Sequence, residues 1–559
     1  MISLLRQPIV FDGSSSPVKS SLFIIICLAW ILPGLIGHDP WKPDEALAFG
    51  VVHAMLKDGQ WLIPHIAGIP SHEYPPLYYW MAALTAQLFS FVLPLHDGAR
   101  LATGLFMGIT LLYTHKTATR LFDERAGRIA VLLTIGALGL LWRGHQMNPE
   151  LAGLAGLSLA LYGITRIRSE PAKGGLTTGI GAGIIALSVG IVPALAPTLI
   201  ALVIMAILRE WSNRTFRAGI AIALLVALPF MLAFPVVVLL HSPEPFLNWI
   251  ETLLGLPCHD LLSRSALDNL FFIRILPWYG LPALPFAIWL WLKDRAKLAE
   301  RFELAMPLAA FVTLLVLVSL TRKASDGMGL TLLLPLALAA SHTLDRLSRS
   351  VASFMDWFSL LFFGIVAATG WLYWTAALAG VPEWAVRGVH RQVPGFVFSF
   401  QPAAFCIALA FTLLWIYAVV RAHRNNRRAI VNWTAGVTLV WVIATLLGFP
   451  AVDYRQSYRA TAETIRGHLQ TNPDSCIASQ ELGDSQRASL NYFARLHFIP
   501  GDQPAAKDCA WLLVQGTRNE QPVVEPQWRM IWEGARPADN DERLRLYLRS
   551  PQQPPQKSP

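Results

Sequence analysis

Between Ser21 and Phe449 the sequence returns repeatedly to long apolar stretches, at 21–37, 76–94, 99–114, 127–142, 149–165, 175–190, 192–208, 217–240, 270–292, 303–320, 328–343, 356–379, 402–420 and 431–449. A helix needs roughly 17 to 25 such residues to cross the hydrocarbon core of a bilayer. No period-two alternation runs through them, so the expectation is an α-helical polytopic membrane protein, not a membrane barrel. The composition agrees, with 54% hydrophobic residues, 14% charged residues and 20 tryptophans.

After Pro450 the character changes. From there to the end there are 13 Lys+Arg and 13 Asp+Glu and no apolar run long enough to span. Residues 1–449 are therefore expected as a transmembrane domain, 450–549 as a small α/β domain and 550–559, "SPQQPPQKSP", as a disordered tail. Helices are expected at 453–470 and 484–495, and strands at 476–482, 509–516, in "WRMIWEG" and in "RLRLYLR". The whole net charge of +9 belongs to the membrane part. Its distribution follows topology, which argues against a nucleic-acid partner.

Short cytoplasmic loops collect Lys and Arg. Six connections, 115–128, 166–173, 209–217, 293–301, 346–349 and 421–428, hold 20 of these residues. All six share one face with Arg6 and Lys19 only if 76–94, which opens "EYPPLYYW", is interfacial or re-entrant. About thirteen spans follow, with the N-terminus cytoplasmic, an uncleaved first span and the C-terminal domain outside. The first outer loop is then 38–98, and Arg387 and Arg391 are among the few outward cations. Cys27 and Cys406 fall in spans and Cys258 in an outer loop. Cys476 and Cys509 fit either a disulfide or two buried thiols.

The first outer loop opens "HDPWKPDEALAFG", with Asp44 and Glu45 adjacent. Ala46 to Lys57 have the spacing of an amphipathic helix lying along the membrane, ended by Asp58-Gly59. Two readings of the acids stand: Asp44 as an N-cap with Glu45 complementing the helix dipole, or a catalytic pair.

"PWKPDEALAFGVVHAMLKDGQWLIPHIAGIPSHEYPPLYYW" resembles the first-loop signature of the polyprenyl-phosphate-sugar-dependent glycosyltransferases of the GT-C superfamily. The resemblance is to the branch holding the lipid A aminoarabinose transferases and relatives of protein O-mannosyltransferases. It implies a donor sugar on a polyprenyl phosphate, a periplasmic acceptor and transfer with inversion at a bacterial inner membrane. By the resemblance Asp44 takes the acceptor proton and Glu45 shapes the acceptor site. Glu73, with Tyr74 and Tyr78 in the "EYPPLYYW" segment, contacts substrate. Where many relatives read D-E-A-R and E-K-P, this chain has Leu47 and Tyr74, so two cations near the acids are missing.

Further substrate-binding candidates are Arg143, Asn148 and Glu150 in "WRGHQMNPE", Arg274 in "FFIRILPWYG", and Arg322 and Lys323 in "LTRKASDGMGLTLLLP". Guanidinium suits phosphate, although each arginine could also snorkel to the interface. His72, His145, His241, His259 and Asp260 match no zinc-binding spacing. The resemblance leaves a divalent metal open, with Glu73 and His259 as candidates. No nucleotide-binding fingerprint is present, which fits a lipid-phosphate donor. The expected activity is an inverting glycosyltransferase acting on lipid A, another lipid or glycan, or a protein. A lipid transporter and an inactive scaffold remain as alternatives.

Overall fold

The computed structural model describes residues 17–71, 73–241, 270–320, 324–343, 348–421, 428–469, 476–520 and 522–550. Two compact units emerge. One comprises 1–36, 72–371 and 401–447, and the other 37–71, 372–400 and 448–559.

The first unit is helical. Its tightest packing is written in "GGLTTGIGAG", within the helix Pro171–Ser188. Gly174 and Gly181 face the helix Pro149–Ile167, while Gly175, Gly179 and Gly183 face Arg214–His241. A Cβ at Gly181 would lie 2.5 Å from the Gly156 carbonyl oxygen, and one at Gly179 would lie 2.6 Å from that of Ala223. Small residues at such spacing let helices approach closely where no hydrophobic effect drives them together. The Leu95–Leu121 helix carries Arg100 inside the packing, where it donates to Asp97 at 2.8 Å. A buried cation needs such a partner.

Among the described residues, five helices are long and apolar enough to cross a membrane, or six if one bent pair counts as a span. The thirteen expected spans are not all single helices. Stretch 270–292 is two helices, Phe271–Tyr279 and Ala283–Lys293, bent by 105°. Gly280 and Pro282 sit at the bend, where backbone donors are missing or helix propensity is lowest. Stretch 127–142 breaks after Ile135, 192–208 breaks at Leu195, and 328–343 begins as a 3-10 turn over Met328–Leu332. In 76–94 the helix is Leu77–Leu88, 12 residues. At 1.5 Å per residue that is roughly 18 Å, short of a hydrocarbon core of about 30 Å. The Pro402–Arg421 helix has only 11% of its apolar window buried, so most of its surface is left for lipid.

The second unit is α/β. A hairpin pairs β1 (His65–Ile66) with β2 (Ile69–Pro70). A five-stranded sheet follows, formed by β3 (Ile477–Gln480), β4 (Phe498–Pro500), β5 (Trp511–Thr517), β6 (Trp528–Gly534) and β7 (Glu542–Arg549), in the order β4-β3-β5-β7-β6. β3 pairs in parallel with β4 and β5, and β7 pairs antiparallel with β5 and β6. Alternation sorts the two faces: Leu513, Leu544 and Leu546 pack beneath the helix Arg459–Leu469, while Leu512, Val514 and Tyr547 line the other side. Cys476 and Cys509 are disulfide-bonded.

The expected helix 453–470 is two, Phe449–Gln456 and Arg459–Leu469. Ser457 is extended at the break, and its hydroxyl accepts the Arg459 amide at 3.0 Å. A serine there caps the second helix. The first-loop helix runs Asp44–Asp58 with Pro43 as the flanking residue, so Asp44 is its first helical residue and not its N-cap. It is buried on more than one face, with Gly50 against Ala488 of the Asp484–Ala494 helix and Phe49 against Tyr492 at 4.6 Å.

Candidate active site

Within the helical unit, three chain segments meet at one carboxylate. Asn148 caps the helix Pro149–Ile167, accepting the Glu150 amide at 2.9 Å. That cap places the Glu150 side chain in the first turn, where it is 5% exposed. Tyr74 donates its hydroxyl to Glu150 Oε1 at 3.0 Å, Ser325 donates to the same oxygen at 3.1 Å, and Asn148 Nδ2 donates to Oε2 at 3.2 Å. Gly327 closes over this oxygen; a Cβ there would fall 1.5 Å from Glu150 Oε2, so a larger residue would displace the carboxylate. Burial, followed by the charges of Glu150 and Glu73, holds the Tyr74 phenol well above its ordinary value. It therefore stays a donor.

Beside this cluster Arg143 makes a two-pronged pair with Asp326, Nε to Oδ2 at 3.0 Å and Nη2 to Oδ1 at 2.6 Å. Tyr279 donates to the Asp326 carbonyl. Glu150 also forms part of the wall of an apolar cavity of about 60 Å³, with Leu157, Ile185, Val189, Leu314, Val318 and Met328 among its other lining residues. An apolar lining with polar groups gathered at one place has the character of a site for an amphiphile.

In the other unit the opening of the first loop is held by the C-terminal part of the chain. Asp39 accepts from Arg459 Nε at 3.0 Å and from Ser457 Oγ at 2.6 Å. Asp453 accepts the Asp39 amide at 2.9 Å and the Trp41 indole at 2.7 Å. Lys42 donates to Glu542 at 2.8 Å, alongside Tyr458 and Gln486. Burial alone would raise the Glu542 carboxyl; the hydrogen bonds from Lys42, Tyr458 and Gln486 outweigh it and hold it below the ordinary range. Glu45 is fully buried, 3.8 Å from His38 Nδ1 and accepting the Trp41 amide at 3.4 Å. Asp44, next to it, is half-buried. Of the adjacent acids, Glu45 is buried in the turn and Asp44 is partly exposed.

The remaining candidates divide. Glu73 is exposed, and so is Arg274 on its short helix. Tyr78 is wholly buried, its hydroxyl 2.8 Å from that of Thr103, so it serves the packing in this conformation and offers no surface to substrate. His145 is likewise internal, its ring stacked on Trp441 at 4.4 Å. Among the described residues no group of three or more His, Cys, Asp or Glu side chains is placed to hold a metal. His72, Cys258, His259, Asp260, Arg322, Lys323 and the tail 551–559 lie outside the described residues. Sequence reasoning missed Ser325, Asp326 and Tyr279. The first two follow Arg322 and Lys323 in the same segment, where attention to cations passed over an adjacent Ser-Asp-Gly turn signal.

Residues 73–234 match the dolichyl-phosphate-mannose-protein mannosyltransferase family model. The chain is 29% identical over 519 residues to the undecaprenyl phosphate-alpha-4-amino-4-deoxy-L-arabinose arabinosyl transferase of Pseudomonas aeruginosa (strain LESB58), covering 88% of this chain and 83% of the relative. It is 24% identical over 526 residues to the enzyme of the same name from Aeromonas hydrophila, covering 87% and 89%. Among solved structures, ArnT from Cupriavidus metallidurans in the apo state superposes with a TM-score of 0.69 at 19% identity, over 96% of this chain and 98% of that one. The same protein bound to undecaprenyl phosphate gives 0.68 at 18%, over 94% and 97%.

Proposed function

We infer that this chain, which resembles the aminoarabinose transferases in sequence and in fold, transfers a sugar from a polyprenyl phosphate to a hydroxyl-bearing acceptor. The donor is of the undecaprenyl type and the acceptor is lipid A or another envelope lipid, glycan or protein. The reaction lies at the periplasmic face of a bacterial inner membrane. The observation that carries this reading is the apolar cavity whose wall includes Glu150, with Tyr74, Asn148 and Ser325 holding that carboxylate. An isoprenoid tail needs the apolar lining, and a sugar phosphate needs hydrogen-bonding groups beside it.

In this reading Asp44 is the base. The acceptor hydroxyl gives its proton to Asp44 as its oxygen bonds to the anomeric carbon from the side opposite the phosphate. The bond from that carbon to the phosphate oxygen breaks, and polyprenyl phosphate leaves with the electron pair. A positioned base contributes on the order of a hundredfold to ten thousandfold. Asp44→Asn is therefore expected to lower transfer from radiolabelled undecaprenyl phosphate sugars by at least about a hundredfold, with thermal stability retained. Equal transfer by the two proteins would remove Asp44 from the chemistry.

A further inference from the structure

Residues 380–401 join two candidate spans, Arg349–Ala379 and Pro402–Arg421. Val381 lies two residues from one span and Phe400 two from the other, so chain reach alone keeps both ends of this connection at a membrane boundary. Between them is a ten-residue helix, Glu383–Gln392. Its inner side is settled: Ala385 is buried, and Gly388 faces the Tyr373 ring, where a Cβ would be 3.2 Å from Cε1. Trp384, Arg387 and Arg391 recur at three and then four residues, so they form one stripe, and all three are exposed. Apolar side chains flank the helix in the open: Val381 is 64% exposed, Val397 84% and Phe400 54%.

Large apolar groups in water are costly, and arginines in outward loops run against the charge rule that the other connections follow. Both facts have one explanation if the segment is not in water. We propose that the Glu383–Gln392 helix lies on the bilayer surface and that its Trp384–Arg387–Arg391 stripe binds the headgroups of anionic phospholipids. Val381, Val397 and Phe400 enter the acyl boundary, Trp384 sits at headgroup level, and the two guanidiniums hold lipid phosphate oxygens. Two arginines against the single Glu383 make the charge complementary to an anionic leaflet. Each arginine near such a surface enriches anionic lipid by about fivefold. The proposal rests on the membrane reading of the two flanking helices and is independent of the transferase reading.

The full-length protein in nanodiscs tests it. Among 20 tryptophans, the fluorescence difference between wild type and Trp384→Phe isolates the Trp384 signal. The quenchers are brominated phosphatidylcholine and brominated phosphatidylglycerol, each diluted to the same bromine content in unlabelled phosphatidylcholine. The expected result is quenching of Trp384 by both, several-fold stronger with phosphatidylglycerol. In Arg387→Gln/Arg391→Gln the phosphatidylglycerol preference disappears while quenching by phosphatidylcholine persists. Absence of quenching by either lipid would overturn the proposal and leave the stripe for a soluble partner. Equal quenching by the two lipids in wild type, or a preference unchanged in the double variant, would overturn the headgroup assignment.

Discussion

Two carboxylates, the half-buried Glu542 in the α/β unit and the buried Glu150 in the helical unit, are held in opposite ways. Glu542 accepts from Lys42, Tyr458 and Gln486, and Arg536 lies 3.5 Å away. Glu150 accepts from a phenol, a hydroxyl and an amide, and it borders an apolar cavity. A carboxylate neutralised on the spot by cations has its interactions satisfied and fastens one segment to another. A carboxylate solvated by uncharged donors keeps its field and acts on whatever enters beside it. The first arrangement is structural and the second is suited to a ligand.

That contrast can be broken by substitution. Glu542→Gln takes the charged acceptor from Lys42 while Arg536 keeps its pair with Asp539, and hydrogen bonds to a charged group are worth roughly 1.5 to 3 kcal/mol. Urea or thermal unfolding of the purified protein, followed by far-UV circular dichroism, should show that loss with the membrane helices retained. The pH dependence has a definite sign. Hydrogen bonding holds the folded Glu542 carboxyl below its ordinary value, so its contribution is complete above about pH 4.3 and is lost as pH falls through the lower folded value. The variant should lack this acid-side decline.

Glu150→Gln is expected to leave stability nearly unchanged and to lower transfer. Hydrogen bonds to a charged group are worth roughly 1.5 to 3 kcal/mol, on the order of ten- to a hundredfold. A stability loss matching that of Glu542→Gln, with transfer intact, would erase the distinction between the two sites. Tyr74→Phe removes one of the three neutral donors and should cost about 1 kcal/mol, a several-fold effect on the same rate. Tyr74→Lys sharpens the point. It puts a cation where Tyr74 meets Glu150, so it should tighten retention of undecaprenyl phosphate as measured by co-purifying lipid.

Much of this was legible in the chain itself. Apolar length marks the membrane part, the fall in hydropathy after Pro450 marks the sheet, and the "PDEA" start with the "EYPPLYYW" end carries the family likeness. Glu150 was visible as the acid of the outer-loop segment "WRGHQMNPE", downstream of Arg143. Two things were not. The bend between Tyr279 and Ala283 hides inside a continuous apolar run, since local hydropathy cannot distinguish one span from two short helices. The pairings of Asp39 with Arg459 and Lys42 with Glu542 join residues more than 400 positions apart. No local pattern of charge announces them, and they make the first loop's opening part of the α/β unit and not of the helical one.

The central claim is that a lipid-linked sugar is this protein's substrate. Its most direct test incubates the purified chain with radiolabelled undecaprenyl phosphate sugars and a lipid extract of the envelope, and follows label into the acceptor fraction. The account predicts labelled acceptor with release of undecaprenyl phosphate from at least one donor. Label that stays on the donor with every sugar tried, from protein that is folded and retains the lipid, would contradict it.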